Sequence, residues 1–143
     1  MAAPNKQPRN LTQFHKGIAT SVVMDKDAIE KTAAYTLTVA DGGKTFFVRN
    51  GNTVVFTLPA LAANAANGVG YTIVNLNTDG QGQVSLSPQA LDAVSYNTSR
   101  VDNKDLINTT ATAKTGDWVH VHAGDSVVAW QVLGVRGVWD KQA

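Results

Sequence analysis

The chain has 143 residues, a formal net charge of +1 and no cysteine. That length suits one self-supporting core, and the missing thiols exclude a disulfide framework, a zinc–thiolate centre and a cysteine nucleophile. The near-neutral charge gives no global field to recruit nucleic acid, and the apolar runs are too short for a signal peptide or a membrane span. Charged residues make up only 16% of the chain, below the roughly 25% usual for soluble domains. Thr, Asn, Ser, Gln and Gly carry the polar surface instead. Such a surface costs less to desolvate on docking than a charged one, although threonine also simply suits a pleated sheet.

Residues 1–22 read as an extended polar arm. Pro4 and Pro8 disfavour helix, and Leu11, Phe14 and Ile18 are its sizeable apolar anchors before Val22. The only charged side chains before Asp25 are Lys6, Arg9 and Lys16. A single β domain is expected over 23–143. Asp27 to Ala33 carries a weak helical signal of a turn or two. From Ala33 onward the pattern is short β-rich runs cut by turn residues. Tyr35, Leu37 and Val39 share one strand face, and Asp41-Gly42-Gly43 turns the chain into Phe46-Phe47-Val48. Asn50-Gly51 is the strongest short hairpin signal in the sequence, since a type I′ turn needs positive φ at both central residues. Val54, Phe56 and Leu58 line the returning strand, which Pro59 ends.

Residues 60–70 form a small-residue connection, Tyr71 to Leu76 a strand, and Asp79 to Gly82 a turn into Val84-Ser85-Leu86. Leu91 to Tyr96 suits a sheet edge, and 97–105 is a polar loop carrying Arg100 and Lys104. Leu106 to Ala113 reads as extended. Trp118 to His122 alternates cleanly, turns at Ala123-Gly124-Asp125 and returns over Ser126 to Leu133; a last piece, Val135 to Trp139, precedes a charged tail. Eight to ten strands of this kind predict an all-β fold, an antiparallel β-sandwich of jelly-roll type with an extended N-terminal arm.

Catalytic patterns are weak by comparison. His120-x-His122 places two imidazoles on one strand face beside Trp118, with Val119 and Val121 on the core face. A metal there needs two further ligands, which a symmetry axis could supply from other copies; the ordinary reading is two surface histidines packed by a tryptophan. Ser126 with a histidine and Asp92 or Asp117 makes a triad only on paper, because no Gly-x-Ser-x-Gly elbow is present. Glu30 is the only glutamate, so paired-carboxylate chemistry has little to work with. The reading is therefore no enzyme, no metal and no cofactor. Trp118, Trp130 and Trp139 fall in the last quarter of the chain. Exposed tryptophans could form a sugar platform, but core packing is the commoner use. Trp139, close to the terminus, is expected to be hard to bury within one chain and to serve as an intermolecular contact.

The run Ala34 to Phe46, with its Ala-Asp-Gly-Gly-Lys-Thr turn, is followed by Val54-Val-Phe-Thr-Leu-Pro, by Gly70-Tyr-Thr-Ile-Val-Asn and by Ala123-Gly-Asp-Ser-Val-Val-Ala-Trp130. This succession, over roughly residues 34–133, resembles a turn-and-strand pattern of small β domains on bacteriophage particles, among them capsid decoration (cement) proteins and parts of fibres. The resemblance implies a structural virion protein on the outer capsid surface, made in the host cytoplasm. It would stabilise the shell by bridging major capsid protein subunits, and it brings no catalytic residue with it. The arm and the 97–105 loop depart from the shorter patterns, and either could dock. Lys6, Arg9, Phe14, Lys16 and Trp139 are the expected partner-binding residues. The expected partners are the major capsid protein and further copies of this chain, a dimer before a trimer, with no direct contact to nucleic acid or membrane. The alternative is a receptor- or glycan-binding domain of a phage tail or head fibre.

Overall fold

The computed structural model describes residues 28–62, 66–124 and 126–143. The predicted arm over 1–22, including Lys6, Arg9, Phe14 and Lys16, lies outside the described residues. Eleven strands run in chain order: β1 Ala28–Glu30, β2 Tyr35–Thr36, β3 Thr45–Val48, β4 Val54–Thr57, β5 Gly70–Asn75, β6 Val84–Ser87, β7 Ala93–Ser95, β8 Leu106–Asn108, β9 Asp117–His122, β10 Ala129–Arg136 and β11 Asp140–Lys141. A 3₁₀ turn, Val39–Asp41, lies between β2 and β3. The fold is all-β, as the alternating runs predict.

The strands form a six-stranded sheet ordered β1-β3-β5-β9-β10-β7 and a five-stranded sheet ordered β11-β8-β6-β4-β2. From β1 to β9 the chain changes sheet after every strand; among the described strands β9 and β10 are the only consecutive pair in one sheet. Up to β6, strands two apart meet side by side and point the same way. The β1–β3, β3–β5, β2–β4 and β4–β6 pairings are parallel, as is β7–β10. The β5–β9, β9–β10, β6–β8 and β8–β11 pairings are antiparallel. The expected purely antiparallel arrangement is thus corrected to two mixed sheets.

The reason is visible at Asn50-Gly51. Both residues adopt the predicted positive φ, 63° and 74°, and Asn52 N closes the turn on Arg49 O. No hairpin follows. Gly51 N donates to Asn77 Oδ1 at 2.8 Å, and Asn77 Nδ2 donates to Asn52 O at 3.0 Å. These bonds hold the turn against the β5–β6 corner, so it carries the chain from one sheet to the other. The Asp27–Ala33 helical signal is also overridden. Ala28, Ile29 and Glu30 pair with Thr45, Phe46 and Phe47 as the edge strand β1, because a ladder partner outweighs the small helix propensity of three residues. The Ala93–Ser95 strand does lie at a sheet edge, as the sequence predicts.

One hydrophobic cluster draws on both sheets. Phe46, Val48, Tyr71, Ile73, Val119, Val121 and Trp130 come from the six-stranded sheet, and Val54, Phe56, Val84, Leu86 and Leu106 from the other. Phe46 and Phe56 meet across the interior with ring centroids 5.7 Å apart, and Tyr71 and Trp130 lie 5.6 Å apart. Burying each such side chain contributes about 1.5–3 kcal/mol before entropy is charged against it. Trp139 belongs to this cluster. It is 2% exposed, and its indole Nε1 donates to Arg136 O at 3.0 Å. The expectation of an unburied Trp139 is corrected: β11 pairs with β8 and folds the chain end inward over the core. Lys141 fastens that end, donating from Nζ to the carbonyls of Val94 (2.9 Å) and Lys104 (2.7 Å); burial lowers its pKa.

A buried polar chain ties the sheets together at one end of the core. Asn75 Nδ2 donates to Asn108 Oδ1 at 2.7 Å, and Asn108 Nδ2 donates to Asp117 Oδ2 and to Val138 O, each at 2.9 Å. Asn75 Oδ1 accepts from Asn77 N, and Asp117 Oδ2 also accepts from Lys114 N. Asn75 and Asp117 stand on the six-stranded sheet and Asn108 on the other. Gly137 makes room for the carboxylate: with φ of 92°, a Cβ there would lie 2.1 Å from Asp117 Cγ. No buried side-chain polar atom among the described residues lacks a partner. Asn108→Ala should therefore cost about 3 kcal/mol, because it strands donors and acceptors of both sheets without water to replace them. Urea denaturation should show a lower midpoint at an unchanged slope.

Asp41 organises the opposite corner. Its Oδ2 accepts from Thr38 N (3.0 Å), Thr38 Oγ1 (2.9 Å) and Tyr35 OH (3.2 Å), and its Oδ1 from Lys44 Nζ (3.0 Å). Tyr71 OH donates to Thr38 O at 2.6 Å, and burial, then the nearby Asp41 charge, raises the Tyr71 pKa. Burial acts to raise the Asp41 pKa, but the hydrogen bonds from Thr38, Lys44 and Tyr35 outweigh it and hold the carboxyl below its ordinary value. A depressed folded-state pKa contributes stability above the unfolded value of about 3.9, and that contribution is lost as pH falls through the folded value. Stability measured against pH should fall more steeply below about pH 4 in the native protein than in Asp41→Asn.

Candidate functional site

The six-stranded sheet turns one face to the core, and its other face is where the chemistry-bearing side chains of the last quarter stand. Along β9 the odd-numbered positions Asp117, Val119 and Val121 are buried, and Trp118, His120 and His122 are half-buried on the outer side. This is the placement the sequence predicts. The register aligns Phe47, Val74 and Trp118 in one outer row, and Thr45, Thr72, His120 and Gly134 in the next.

A β-bulge in β10 shapes this face. Val132 pairs with Val121 and Gly134 with His120, so Leu133 is an extra residue in the ladder. A bulge of this kind puts two neighbouring residues on one side of the sheet and bends the strand. Leu133 consequently stands out at 63% exposure. Gly134 leaves space that Trp118 occupies: a Cβ at Gly134 would lie 3.0 Å from Trp118 Cη2. Thr72, Val74, Trp118, His120, Leu133 and Gly134 together line an open concavity of about 480 Å³.

The two imidazoles are oriented differently. His120 Nδ1 and Thr72 Oγ1 are hydrogen-bonded at 2.8 Å. His122 Nδ1 accepts from Gly124 N at 2.8 Å, which puts the hydrogen of the neutral ring on Nε2. Gly70 lies under the His122 ring; a Cβ there would be 2.7 Å from Cδ2. Among the described residues no set of three or more His, Cys, Asp or Glu side chains gathers to hold a metal. The paper triad does not assemble either. Asp117 is on the core side of β9, opposite to the histidines, and is committed to Asn108 and Lys114. Asp92 accepts from Leu61 N at 3.0 Å, and Ser126 Oγ accepts from Val128 N and Ala129 N. Each of these groups holds a loop.

Of the expected site residues, Trp139 is buried away from this face, and Lys6, Arg9, Phe14 and Lys16 lie outside the described residues. The 97–105 loop is a tight, bridged turn: Tyr96 pairs with Ser99, and Ala93 with Asp102. The concavity itself was not legible in the sequence. Trp118 and His120 could be placed on one face by alternation, but Thr72, Val74 and Leu133 join them only through strand order and the bulge.

Burial, followed by the charge of His122, lowers the His120 pKa. His120 should thus titrate below the ordinary histidine value of about 6.5, and His122→Gln should raise its pKa. For a histidine whose folded pKa is depressed, the stability contribution is full above the unfolded value and is lost as pH falls below it, down to the folded pKa. Imidazole NMR titration of the two proteins checks the order.

No protein-family model matches the chain, and no curated protein matches it in sequence.

Proposed function

We propose that this protein is a non-enzymatic β brace that binds the outer surface of a phage capsid and stabilises it by bridging major capsid protein subunits. The observation that carries this reading is how the polar groups are used. Asp41, Asp92, Asp117, Asn75, Asn77 and Asn108 are all spent on backbone turns and inter-sheet bonds. They stiffen the body. The outer row of Phe47, Val74 and Trp118 meanwhile presents apolar surface, with its charges, Glu30 and Arg136, confined to the two ends of the row. A rigid body with such a face loses little conformational freedom on docking.

The mechanism is thermodynamic linkage. A species that binds only the assembled lattice stabilises that lattice against its alternatives, and many copies repeat the effect around the shell. Within this reading the two mixed sheets act as a sandwich-like body. The N-terminal segment with Lys6, Arg9, Phe14 and Lys16 grips a neighbouring subunit, and the copies associate as a symmetric dimer. The turn-and-strand resemblance to decoration proteins supports the choice of partner.

Co-sedimentation with capsids built from the cognate major capsid protein tests this. Saturable binding at a fixed copy number, with a raised capsid melting temperature, is the expected result. Deleting residues 1–20 should leave the isolated fold intact and weaken shell binding. A protein with no affinity for the assembled lattice would sink the proposal.

A further inference from the structure

We propose that the concavity formed by Trp118, His120, Thr72, Val74, Leu133 and Gly134 is a binding site for a neutral pyranose ring of a glycan. The site goes beyond the bracing role; it shares Val74 and Trp118 with the outer row assigned to docking, so a bound sugar and a docked shell subunit would compete for that part of the face. Its volume of about 480 Å³ falls in the range of small-ligand clefts, roughly 300–1,000 Å³. Its lining also has the composition of such clefts, mostly apolar and aromatic surface with a few oriented polar groups.

Three features narrow the ligand chemistry. First, the walls are Trp118, Val74 and Leu133, which offer surface to an apolar ring face, and the aromatic ring attracts polarised C–H groups. Second, His120 and Thr72 face the same space and hold each other at 2.8 Å. Nδ1 of His120 is thereby engaged, and Nε2 has no hydrogen-bond partner among the described residues. A purely apolar occupant, such as a partner's aliphatic side chain, would desolvate the imidazole and return nothing. A ring rimmed with hydroxyls returns both donors and acceptors. Third, among the described residues no Asp, Glu, Lys or Arg lines the concavity; Arg136, opposite Trp118 in the ladder, lies outside the lining, so the lining itself favours an uncharged ligand. Burial, then the charge of His122, lowers the His120 pKa and so favours the neutral ring. An amphipathic, uncharged ring with one C–H face and a hydroxyl rim meets all three conditions, and a pyranose is that ring.

The site is built by the bulge. Without the extra residue Leu133, the strand would present only one of the two positions, and Gly134 would not lie where Trp118 needs room.

The test is titration of the full chain with the methyl glycosides of glucose, galactose and N-acetylglucosamine, followed by NMR of the tryptophan indole and histidine ring signals. At least one glycoside should shift Trp118 and His120 signals saturably in the millimolar range and leave the buried Trp130 and Trp139 signals in place. Trp118→Ala should weaken binding about tenfold or more. Leu133→Ala, a change at an exposed position, should weaken it by a smaller factor with no loss of folding. Absence of a saturable shift with all three glycosides overturns the proposal. So does a Trp118 shift that depends on protein concentration alone, which would make the face a contact between two copies of this chain.

Discussion

The buried bond chain Asn75–Asn108–Asp117 is the constraint on which the rest of the molecule depends. Two sheets that meet through hydrophobic side chains alone can slide, because dispersion and area burial carry little direction. Hydrogen bonds between amides and a carboxylate do carry direction. Asn108 receives one bond from the six-stranded sheet and gives one back, so the registers of β5, β8 and β9 are set against each other. The same Asn108 also donates to Val138 O, next to the buried Trp139. The end of the chain is thereby fitted to the core.

That pinning explains how a chain of short strands tolerates so many changes of sheet. Each corner crosses from one sheet to the other, and several are held by a tertiary peg. Asn77 serves the Asn50–Asn52 and Gly82 corners, Asp41 serves the corner before β3, and Asp92 holds Leu61. Polar residues that look like turn-formers in one dimension thus act as inter-element anchors in three. Their cost of burial is offset because every one is satisfied.

A core held in this way leaves the outer face of the six-stranded sheet free to be shaped for contact. The bulge at Leu133, the missing side chains at Gly134 and Gly70, and the fixed imidazoles give that face relief without disturbing the inner layer. Bracing a shell and holding a sugar ring would draw on the same asset, a rigid pleated surface with few charges.

The amino-acid sequence by itself determined which side the residues of the regular strands take, though not at the β10 bulge nor at Val39, which was expected to share a strand face with Tyr35 and Leu37 and instead lies in the 3₁₀ turn at 47% exposure. Alternation placed Val119 and Val121 inward and Trp118, His120 and His122 outward, and it made Asn50-Gly51 a positive-φ turn; these are consequences of backbone geometry over a few residues. Only the tertiary structure decided which strand lies beside which. Nothing within the Thr45–Val48 or Val54–Thr57 segments says that they belong to different sheets, because pairing partners are chosen by contacts distant in sequence. The burial of Trp139 has the same origin, since it requires β11 to find β8 about thirty residues earlier. So does the concavity, whose walls come from three strands that only the sheet order and one extra residue bring together.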